Sequence, residues 1–276
     1  MHNAGPAKHL AYYNEFDPVA AQWLRNLIAA GHIAPGIVDE RSIEDVRPSD
    51  LRGFTQCHFF AGIGGWPLAL RLAGWPDDRP VWTGSCPCQP FSDAGLGTGF
   101  EDPRHLWPSF AWLIGECGPS DILGEQVASK AVDPWIDLVQ ADLEGMDYAF
   151  GAAAFPSAGV GAPHIRDRVY WVGHTNDKRS QGHPRHGGQA GWQGSAGPAT
   201  ATGLHLHAGP VNGFWRNADW LLCRDGKRRP VQSGTFPLAH GIPARVGRLR
   251  AYGNAVNVQA AAAFIGAVMD AKGVAA

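Results

Sequence analysis

HFFAGIGGW, residues His58–Trp66, decides the fold of this chain, because an apolar run, a glycine turn and a helical pattern follow one another there. The helical pattern continues over Pro67–Ala73. Gly62, Gly64 and Gly65 let the backbone turn tightly and leave room for a ligand, since glycine has no Cβ atom. A glycine turn alone is weak support for a binding site, because many such turns bind nothing. Other segments of the chain must therefore show whether this turn binds a ligand.

Short apolar runs alternate with helical patterns through residues 1–172. The predicted strands are Leu10–Asn14, Ile37–Ile43, Gln56–Ala61, Pro80–Ser85, Ile122–Glu125 and Val169–Val172. The predicted helices are Val19–Ala30, Pro67–Ala73 and Ala260–Met269. This alternation is typical of an α/β sheet, and we expect the last helix to pack back onto the sheet domain.

The composition is that of a globular chain with a net charge of −2. Hydrophobic residues make up 45% and charged residues 17%, which excludes a disordered protein. No charged leader precedes a long apolar stretch, so we expect neither secretion nor a membrane span. Five cysteines, an odd and sparse set, are typical of the reducing cytoplasm. The segment SCPC has no second Cys or His pair at zinc spacing, so we expect no metal site.

Charge and glycine are concentrated towards the C-terminal third. Between Phe214 and Arg250, eight Lys or Arg residues accompany two acids. This surplus fits a phosphate-binding face or, equally, a solvated basic surface. Asn176–Asn212 contains eight glycines, four histidines and one acid. It fits a linker or a loop that orders on a partner.

The segment GSCPCQPFS places Cys88 between Pro87 and Pro90 at the end of a predicted strand. Proline fixes φ and blocks the continuation of regular structure, so this thiol is held rigidly and exposed. A thiolate in that position can attack an electrophilic carbon. The alternative is a buried, inert cysteine, but two prolines and Gln89 fit a core strand poorly.

Three further side chains have the chemistry of a proton-transfer and anion-binding site. Glu125 in SDILGEQVAS follows an apolar run, whose aliphatic walls would raise its pKa and let it protonate a ring nitrogen. Arg166 and Arg168 lie two apart at a strand start. Both should project to one side, as guanidinium forks that hold a base oxygen and a phosphate. The alternative is a salt bridge with a neighbour such as Asp167.

An acidic residue that could complete the glycine turn lies upstream, in YNEFDP. Glu15 follows a predicted strand, where a carboxylate can accept hydrogen bonds from both hydroxyls of a ribose. Phe16 beside it could stack on an adenine. The alternative is a surface glutamate next to a core phenylalanine, and on this segment alone that reading is the better one.

Taken together, these segments resemble the C5-cytosine DNA methyltransferase family. FAGIGG resembles its cofactor loop, PCQ its nucleophile motif, and GEQV its Glu-Asn-Val motif with Gln126 in place of Asn. PHIRDR resembles its Gln-x-Arg-x-Arg motif with His164 in place of Gln, and YGNAVN its C-terminal Gly-Asn motif. Gly99–Arg104 matches the stretch after the nucleophile. The resemblance covers most of the chain outside Asn176–Asn212.

The order of the motifs departs from the family pattern. In the family, the cofactor loop is followed by the ribose-binding acid, then the adenine-binding strand, and then the nucleophile. Here only 25 residues separate Gly62 from Cys88, which leaves room for one helix and one strand. We infer a circular permutation in which the second and third strand units precede the cofactor strand.

The missing motifs have counterparts upstream of the glycine turn. YNEFDP resembles the ribose-acid motif, with Glu15 and Phe16 in place. DERSIEDV resembles the adenine-binding motif, with Ser42 and Ile43 at the contact positions. Asp39 or Glu40 is the alternative partner of the adenine.

The resemblance implies a fold, a mechanism and a set of site residues. The fold is a Rossmann-like class I S-adenosylmethionine-dependent methyltransferase sheet over residues 1–174 and 246–276, with a small target-recognition lobe over residues 175–245. Cys88 would add to C6 of a flipped cytosine while Glu125 protonates N3, and C5 would take the methyl group. Arg168 would hold O2 and Arg166 would support the pocket. The expected cofactor-binding residues are Phe60, Ala61, Gly62, Ile63, Gly64, Gly65, Glu15, Phe16, Ser42, Ile43, Pro87 and Asn254. The expected DNA-binding residues are Gln89, Ser92, Arg216, Arg224, Lys227, Arg228 and Arg229.

The implied partner is double-stranded DNA with a short recognition sequence, bound by a cytoplasmic monomer without metal or membrane. The composition resembles phage or prophage members of the family, which suggests evasion of host restriction-modification or a solitary modification role. Three rivals stay open: a cytosine-C5 methyltransferase of transfer RNA, a non-catalytic DNA-binding module, and a nucleotide-level pyrimidine methylase. The basic, glycine-rich insert favours duplex DNA and has no purpose in the last of these.

Overall fold

A computed structural model describes the protein over residues 11–87, 106–130, 132–162, 165–175, 219–222, 228–231 and 255–273. The strands, in chain order, are Ala11–Asn14 (β1), Gly36–Asp39 (β2), Gln56–Phe59 (β3), Val81–Gly84 (β4), Asp121–Val127 (β5), Tyr148–Pro156 (β6), Asp167–Thr175 (β7), Asp219–Leu222 (β8) and Arg228–Val231 (β9). The α-helices are Pro18–Ala29 (α1), Gly65–Leu72 (α2), Trp107–Cys117 (α3), Asp133–Gly145 (α4) and Val258–Ala271 (α5).

Seven strands form one mixed sheet in the spatial order β2-β1-β3-β4-β5-β7-β6. Strands β1 to β5 are parallel, and β3 lies between β1 and β4. Strand β7 is antiparallel to both β5 and β6. The carboxyl ends of β1, β3, β4 and β5 therefore meet at one edge of the sheet, together with the start of β7. The structure confirms the predicted α/β sheet.

Three buried clusters hold the helices against this sheet, and the smallest of them joins α1 to β1 through Leu24. Large aromatic side chains fill the first cluster, among them Trp107 and Phe110 of α3, Trp135 of α4 and Trp171 of β7. The second joins α2 and α5 to the sheet through Trp66, Leu70, Leu123, Tyr170, Ile265 and Met269. The prediction that the C-terminal helix packs back onto the sheet domain is confirmed.

Strand β2 is shorter than predicted. The sequence indicates a strand over Ile37–Ile43, but β2 ends at Asp39 and Ile43 begins a short 3-10 helix, Ile43–Asp45. The reason is the Ser42 side chain, whose oxygen accepts a hydrogen bond from the backbone N–H of Glu44. A serine that caps a helical turn in this way competes with strand pairing.

Five elements have no counterpart among the predicted ones: α3, α4, β6, β8 and β9. Strand β6 reads YAFGAAAFP, and alanine and glycine are depleted in strands because they offer little side chain for packing. It nevertheless pairs with β7 along its whole length, from Tyr148 opposite Thr175 to Pro156 opposite Asp167. Pairing with a stronger neighbour therefore determines this strand.

Within the predicted target-recognition lobe, the described residues form one antiparallel pair, β8 with β9. Arg228 and Arg229, expected to bind DNA, lie in β9. The other expected DNA-binding residues, Gln89, Ser92, Arg216, Arg224 and Lys227, lie outside the described residues.

Candidate active site

The carboxyl edge of the sheet gathers side chains that lie far apart in the sequence. Glu15 follows β1, the glycine turn follows β3, and Ser85 follows β4. Glu125 lies near the end of β5. Arg168 lies at the start of β7, where it pairs with Val127 of β5. The parallel topology thus places the predicted cofactor and proton-transfer groups at one edge.

The glycine turn binds the carboxylate that the sequence suggested as its partner. The backbone N–H of Gly62 donates to Oε2 of Glu15 at 2.6 Å. Oε1 of Glu15 accepts from the backbone N–H of Asp17 at 2.9 Å. Gly62 and Gly64 have φ of +55° and +84°, in the left-handed region that favours glycine. The turn and the acid therefore form one rigid unit.

Burial raises the pKa of Glu15, and the backbone N–H groups of Asp17 and Gly62 oppose this rise. Each carboxylate oxygen has two lone pairs, so both oxygens of Glu15 can still accept a further hydrogen bond. This is the requirement for holding a ribose by its two hydroxyls.

Phe16 and the adenine-motif residues occupy different environments. The ring of Phe16 is 74% exposed, so the interpretation of Phe16 as a core residue is wrong. Ile43 is buried in the first cluster, while Ser42 caps the 3-10 helix. An exposed aromatic ring beside the glycine turn has its face open to a flat ligand.

The two alternative adenine partners both have ion-pair partners. Arg41 binds Asp39 with Nη2–Oδ2 at 2.6 Å, and the Tyr12 hydroxyl donates to the same carboxylate. Arg41 also lowers the pKa of Asp39, against the effect of burial. Glu40 pairs with Arg25 at 2.5 Å. Both carboxylates thus have a structural function in the segment after β2.

The approach to the predicted nucleophile is described as far as Pro87. Cys88 itself lies outside the described residues, as does Asn254. Cys86 is buried, and burial raises its pKa well above the ordinary range of a thiol. A thiol that stays protonated and shielded from solvent is a poor nucleophile, so Cys86 is not a competitor of Cys88.

Gln126 fixes the backbone that leads to the nucleophile. Its Nε2 donates to the backbone oxygen of Cys86 at 3.3 Å, and its Oε1 accepts from the N–H of Val127 at 3.0 Å. The amide therefore ties the end of β4 to the end of β5. The glutamine that replaces the family's asparagine retains a side-chain amide that can perform this task.

Glu125 is a buried carboxyl that an arginine binds. It is 8% exposed, and Arg168 binds it with Nε–Oε1 at 2.7 Å. Burial raises its pKa, while Arg168, Arg166 and a hydrogen bond from the Ser85 side chain act in the opposite direction. The ion-pair partner of Arg168 is thus Glu125 rather than the neighbouring Asp167. A buried carboxyl balanced in this way can hold or release a proton.

Arg166 departs from the predicted strand geometry. It precedes β7 and has a φ of +41°, so the alternation that would project it to the same side as Arg168 does not apply to it. Its guanidinium donates to the backbone oxygen of Ala255 at 2.5 Å. Its own backbone oxygen accepts from the N–H of Ser157. Arg166 therefore connects the start of β7 to the C-terminal YGNAVN segment.

Sequence reasoning missed two members of the site, Trp66 and Ser85. The indole Nε1 of Trp66 donates to the Ser85 hydroxyl oxygen at 2.9 Å. Both residues lie within the quoted motifs, HFFAGIGGW and GSCPCQPFS, and both have polar hydrogens in an otherwise apolar setting. The sequence therefore showed that both side chains can form hydrogen bonds. It did not show that they contact each other, because that depends on the tertiary structure.

Among the described residues, no group of three or more His, Cys, Asp or Glu could hold a metal ion. In the same parts of the chain, none of the helices is long and apolar enough to cross a membrane.

Comparison with known proteins identifies relatives for part of the chain. Residues 75–190 match the family described as C-5 cytosine-specific DNA methylase. Type II methyltransferase M.HhaI of Haemophilus parahaemolyticus is 26% identical over 176 residues, which cover 50% of this chain and 54% of that protein. Type II methyltransferase M.SsoII of Shigella sonnei is 31% identical over 151 residues, which cover 52% of this chain and 40% of that protein.

Two solved structures are similar over part of the fold. Spodoptera frugiperda DNMT2 has a TM-score of 0.42 at 16% identity and covers 64% of this chain and 45% of its own. The S. pombe Dnmt2 methyltransferase has a TM-score of 0.38 at 15% identity, and the match covers 61% of this chain and 51% of that one. The chain spans about half or less of the length of the curated relatives first matched. Over residues 75–190 the chain is thus similar to the C-5 cytosine-specific DNA methylase family, and over about half of its length it is similar to Type II methyltransferases.

Proposed function

We propose that the protein transfers a methyl group from S-adenosylmethionine to carbon 5 of cytosine in a short recognition sequence of double-stranded DNA. The observation that supports this most directly is the buried Glu125, held by Arg168 and Ser85 at the edge where β4 leads to Cys88. Addition to a pyrimidine ring requires a proton-transfer carboxyl and a thiolate nucleophile, and Cys88 is the residue that we propose for the second role. The relatives named as Type II methyltransferases support DNA as the substrate.

The cofactor site fits the proposed donor. The turn at Gly62 and Gly64 leaves space without side chains, Glu15 has lone pairs to accept two hydroxyl groups, and Phe16 has an exposed ring face. These residues would hold the ribose and adenine of S-adenosylmethionine, with Ser42 and Ile43 on the adenine side. When bound, S-adenosylmethionine supplies an electrophilic methyl group.

Cys88 opens the reaction. Its thiolate adds to C6 of the cytosine, forming a carbon–sulfur bond, while Glu125 gives a proton to N3 and the C5 carbon becomes enamine-like. After C5 has gained the methyl group, a water molecule takes the C5 proton, and the electron pair of the broken carbon–hydrogen bond expels the Cys88 thiolate. Glu125 recovers its proton from N3 at that step, so the protein is unchanged after each cycle.

The two arginines orient the base in this scheme. Arg168 holds the cytosine O2, for which its guanidinium must share hydrogen bonds between the base and Glu125. Arg166 supports the pocket through its bond to Ala255. The target base must leave the duplex to reach Cys88, at a cost of a few kcal/mol that protein contacts offset.

We further infer that the catalytic domain is circularly permuted. Two observations support this: β3, which carries the glycine turn, lies centrally between β1 and β4 although β1 and β2 precede it in the chain, and the family match begins only at residue 75, beyond that turn. We also propose that the protein acts as a cytoplasmic monomer in a bacterium or phage-infected host, without a metal, and that residues 175–245 read the target.

Bisulfite sequencing of a plasmid that carries this gene in a methylation-free host tests both reaction and target. We expect cytosines within one short sequence to be protected from conversion by bisulfite. This protection should vanish with Cys88→Ser. Duplex DNA containing 5-fluorocytosine should trap a covalent adduct with the active protein. Methylation of transfer RNA instead of the plasmid would support the RNA rival, and DNA binding without any methylation would support the non-catalytic module.

A further inference from the structure

We infer that Trp66 and Ser85 form a positioning relay that aims one hydroxyl hydrogen at the Glu125 carboxylate and so sets the protonation of the proposed proton donor. The inference rests on the proposed function for its catalytic meaning. Its geometry stands on contacts among described residues. Neither residue touches the reacting atoms, so both are positioning residues.

The direction of the relay follows from the chemistry of its first member. An indole N–H can only donate, so the 2.9 Å contact between Trp66 Nε1 and Ser85 Oγ must use a lone pair of the serine oxygen. The hydroxyl hydrogen of Ser85 is then free to point elsewhere, and Glu125 receives a hydrogen bond from that side chain. Trp66 thus leaves Ser85 as a donor towards the acid.

Packing holds the first member of the relay in place. Trp66 is 3% exposed, and its ring meets the ring of Tyr170 edge to face, with centroids 6.2 Å apart. It lies in the first turn of α2, two residues after Gly64, which caps that helix. The relay therefore connects the proposed cofactor turn to the proposed acid through one serine.

The charged and titratable groups around Glu125 come from three elements. Arg168 and Tyr170 lie in β7, and Arg166 is the residue directly before this strand. Ser85 directly follows β4. Arg168 and Arg166 favour the charged carboxylate because they are cations. Ser85 favours the same form because its hydroxyl donates, so removing it raises the pKa of Glu125.

The test is the pH profile of single-turnover methyl transfer. Because Glu125 must be protonated to act, the rate should fall as pH rises through its pKa. In Ser85→Ala this falling limb should move to higher pH by about one unit, the size expected for a lost hydrogen bond to a charged group. In Trp66→Phe, which keeps a ring at the packing site, the limb should move in the same direction by less.

Coupling between the two positions separates a relay from two independent effects. The double variant W66F/S85A should move the limb no further than Ser85→Ala alone, because Trp66 acts only through Ser85. Ser85→Thr retains a hydroxyl and should restore the wild-type limb. Tyr170→Phe is the matched control, since the Tyr170 hydroxyl is buried in the same cluster without a hydrogen-bond partner among the described residues. It should leave the limb in place.

A second measurement keeps the relay testable whatever the reaction proves to be. An infrared titration of the carboxyl stretch in the protein without DNA or cofactor, assigned with Glu125→Gln, should show the same upward shift in Ser85→Ala. If the wild type transfers no methyl group, the proposed function fails while this titration still reports on the relay. An unchanged Glu125 titration in correctly folded Ser85→Ala, or additive shifts in the double variant, would overturn the relay.

Discussion

Glu15, which is half-buried, and Glu125, which is buried, are two carboxyls at the same edge of one sheet, and they are held in opposite ways. Burial raises the pKa of both. Backbone N–H groups of Gly62 and Asp17 bind Glu15, whereas the side chains of Arg168 and Ser85 bind Glu125. Backbone donors cannot move without unfolding the turn. Side-chain donors can exchange partners when a substrate arrives. The first arrangement suits binding and the second suits proton transfer.

The largest expected effect comes from Glu125→Gln, which keeps the shape of the side chain and removes its proton chemistry. Single-turnover methyl transfer at saturating cofactor should fall by about a hundredfold or more, the size typical of a lost general acid. Affinity for S-adenosylmethionine should stay within a factor of about two. Quench-flow measurement with tritiated cofactor reports the rate, and a retained rate would remove Glu125 from the mechanism.

Glu15→Gln should have the opposite effect, with weaker cofactor binding and a nearly unchanged rate of methyl transfer. The dissociation constant of S-adenosylmethionine should rise by about tenfold, as expected when a charged hydrogen-bond acceptor becomes neutral. The rate at saturating cofactor should be close to that of the wild type. Calorimetric titration measures the affinity. A variant that loses rate but not affinity would assign the two carboxyls to the wrong tasks.

Gln126 sharpens the comparison because it neighbours Glu125 but faces the backbone of Cys86. Gln126→Ala should lower the methyl-transfer rate by up to about tenfold, since one hydrogen bond that fixes the approach to Cys88 is lost. Cofactor affinity should be unchanged. The matched control is Gln140→Ala, an exposed helix glutamine whose side chain bonds only Glu144 among the described residues. Equal losses in both variants would point to a general loss of stability.

The smallest effect concerns stability and pH. The folded-state pKa of Glu15 lies above its unfolded value, so the folded protein binds the proton more tightly. This carboxyl therefore favours folding most at low pH, and its contribution is lost as pH rises from the unfolded value through the raised folded one. Urea unfolding of Glu15→Gln should have a weaker decline across that range than the wild type. An identical pH dependence in both proteins would contradict the raised pKa.

Much of the sheet could be predicted from the sequence because apolar runs in it end at glycine, proline or acidic residues. Glu15, the glycine turn and Glu125 all follow such runs, so their common edge follows from parallel topology alone. Strand β6 could not be predicted, since its alanines have little strand preference without β7. Ser42 ended β2 early through a local hydrogen bond that competes with pairing.

The site itself was predicted in its residue types rather than its contacts. The pairing of Glu125 with Arg168 depends on the register that sets Val127 opposite Arg168, and a sequence does not state register across a 40-residue separation. The Trp66–Ser85 contact depends on the same kind of information. Cys88, the central prediction, lies outside the described residues and stays a prediction.

The position of β3 has a consequence for the order in which the protein is made. Strand β1 pairs with β2 on one side and with β3 on the other, and the hydrogen bond between Glu15 and Gly62 joins the ends of β1 and β3, all within residues 11–62. The ribosome therefore joins every residue of this acid-and-turn unit to the chain before it joins Cys88, so the unit contains none of the segment that carries the predicted nucleophile.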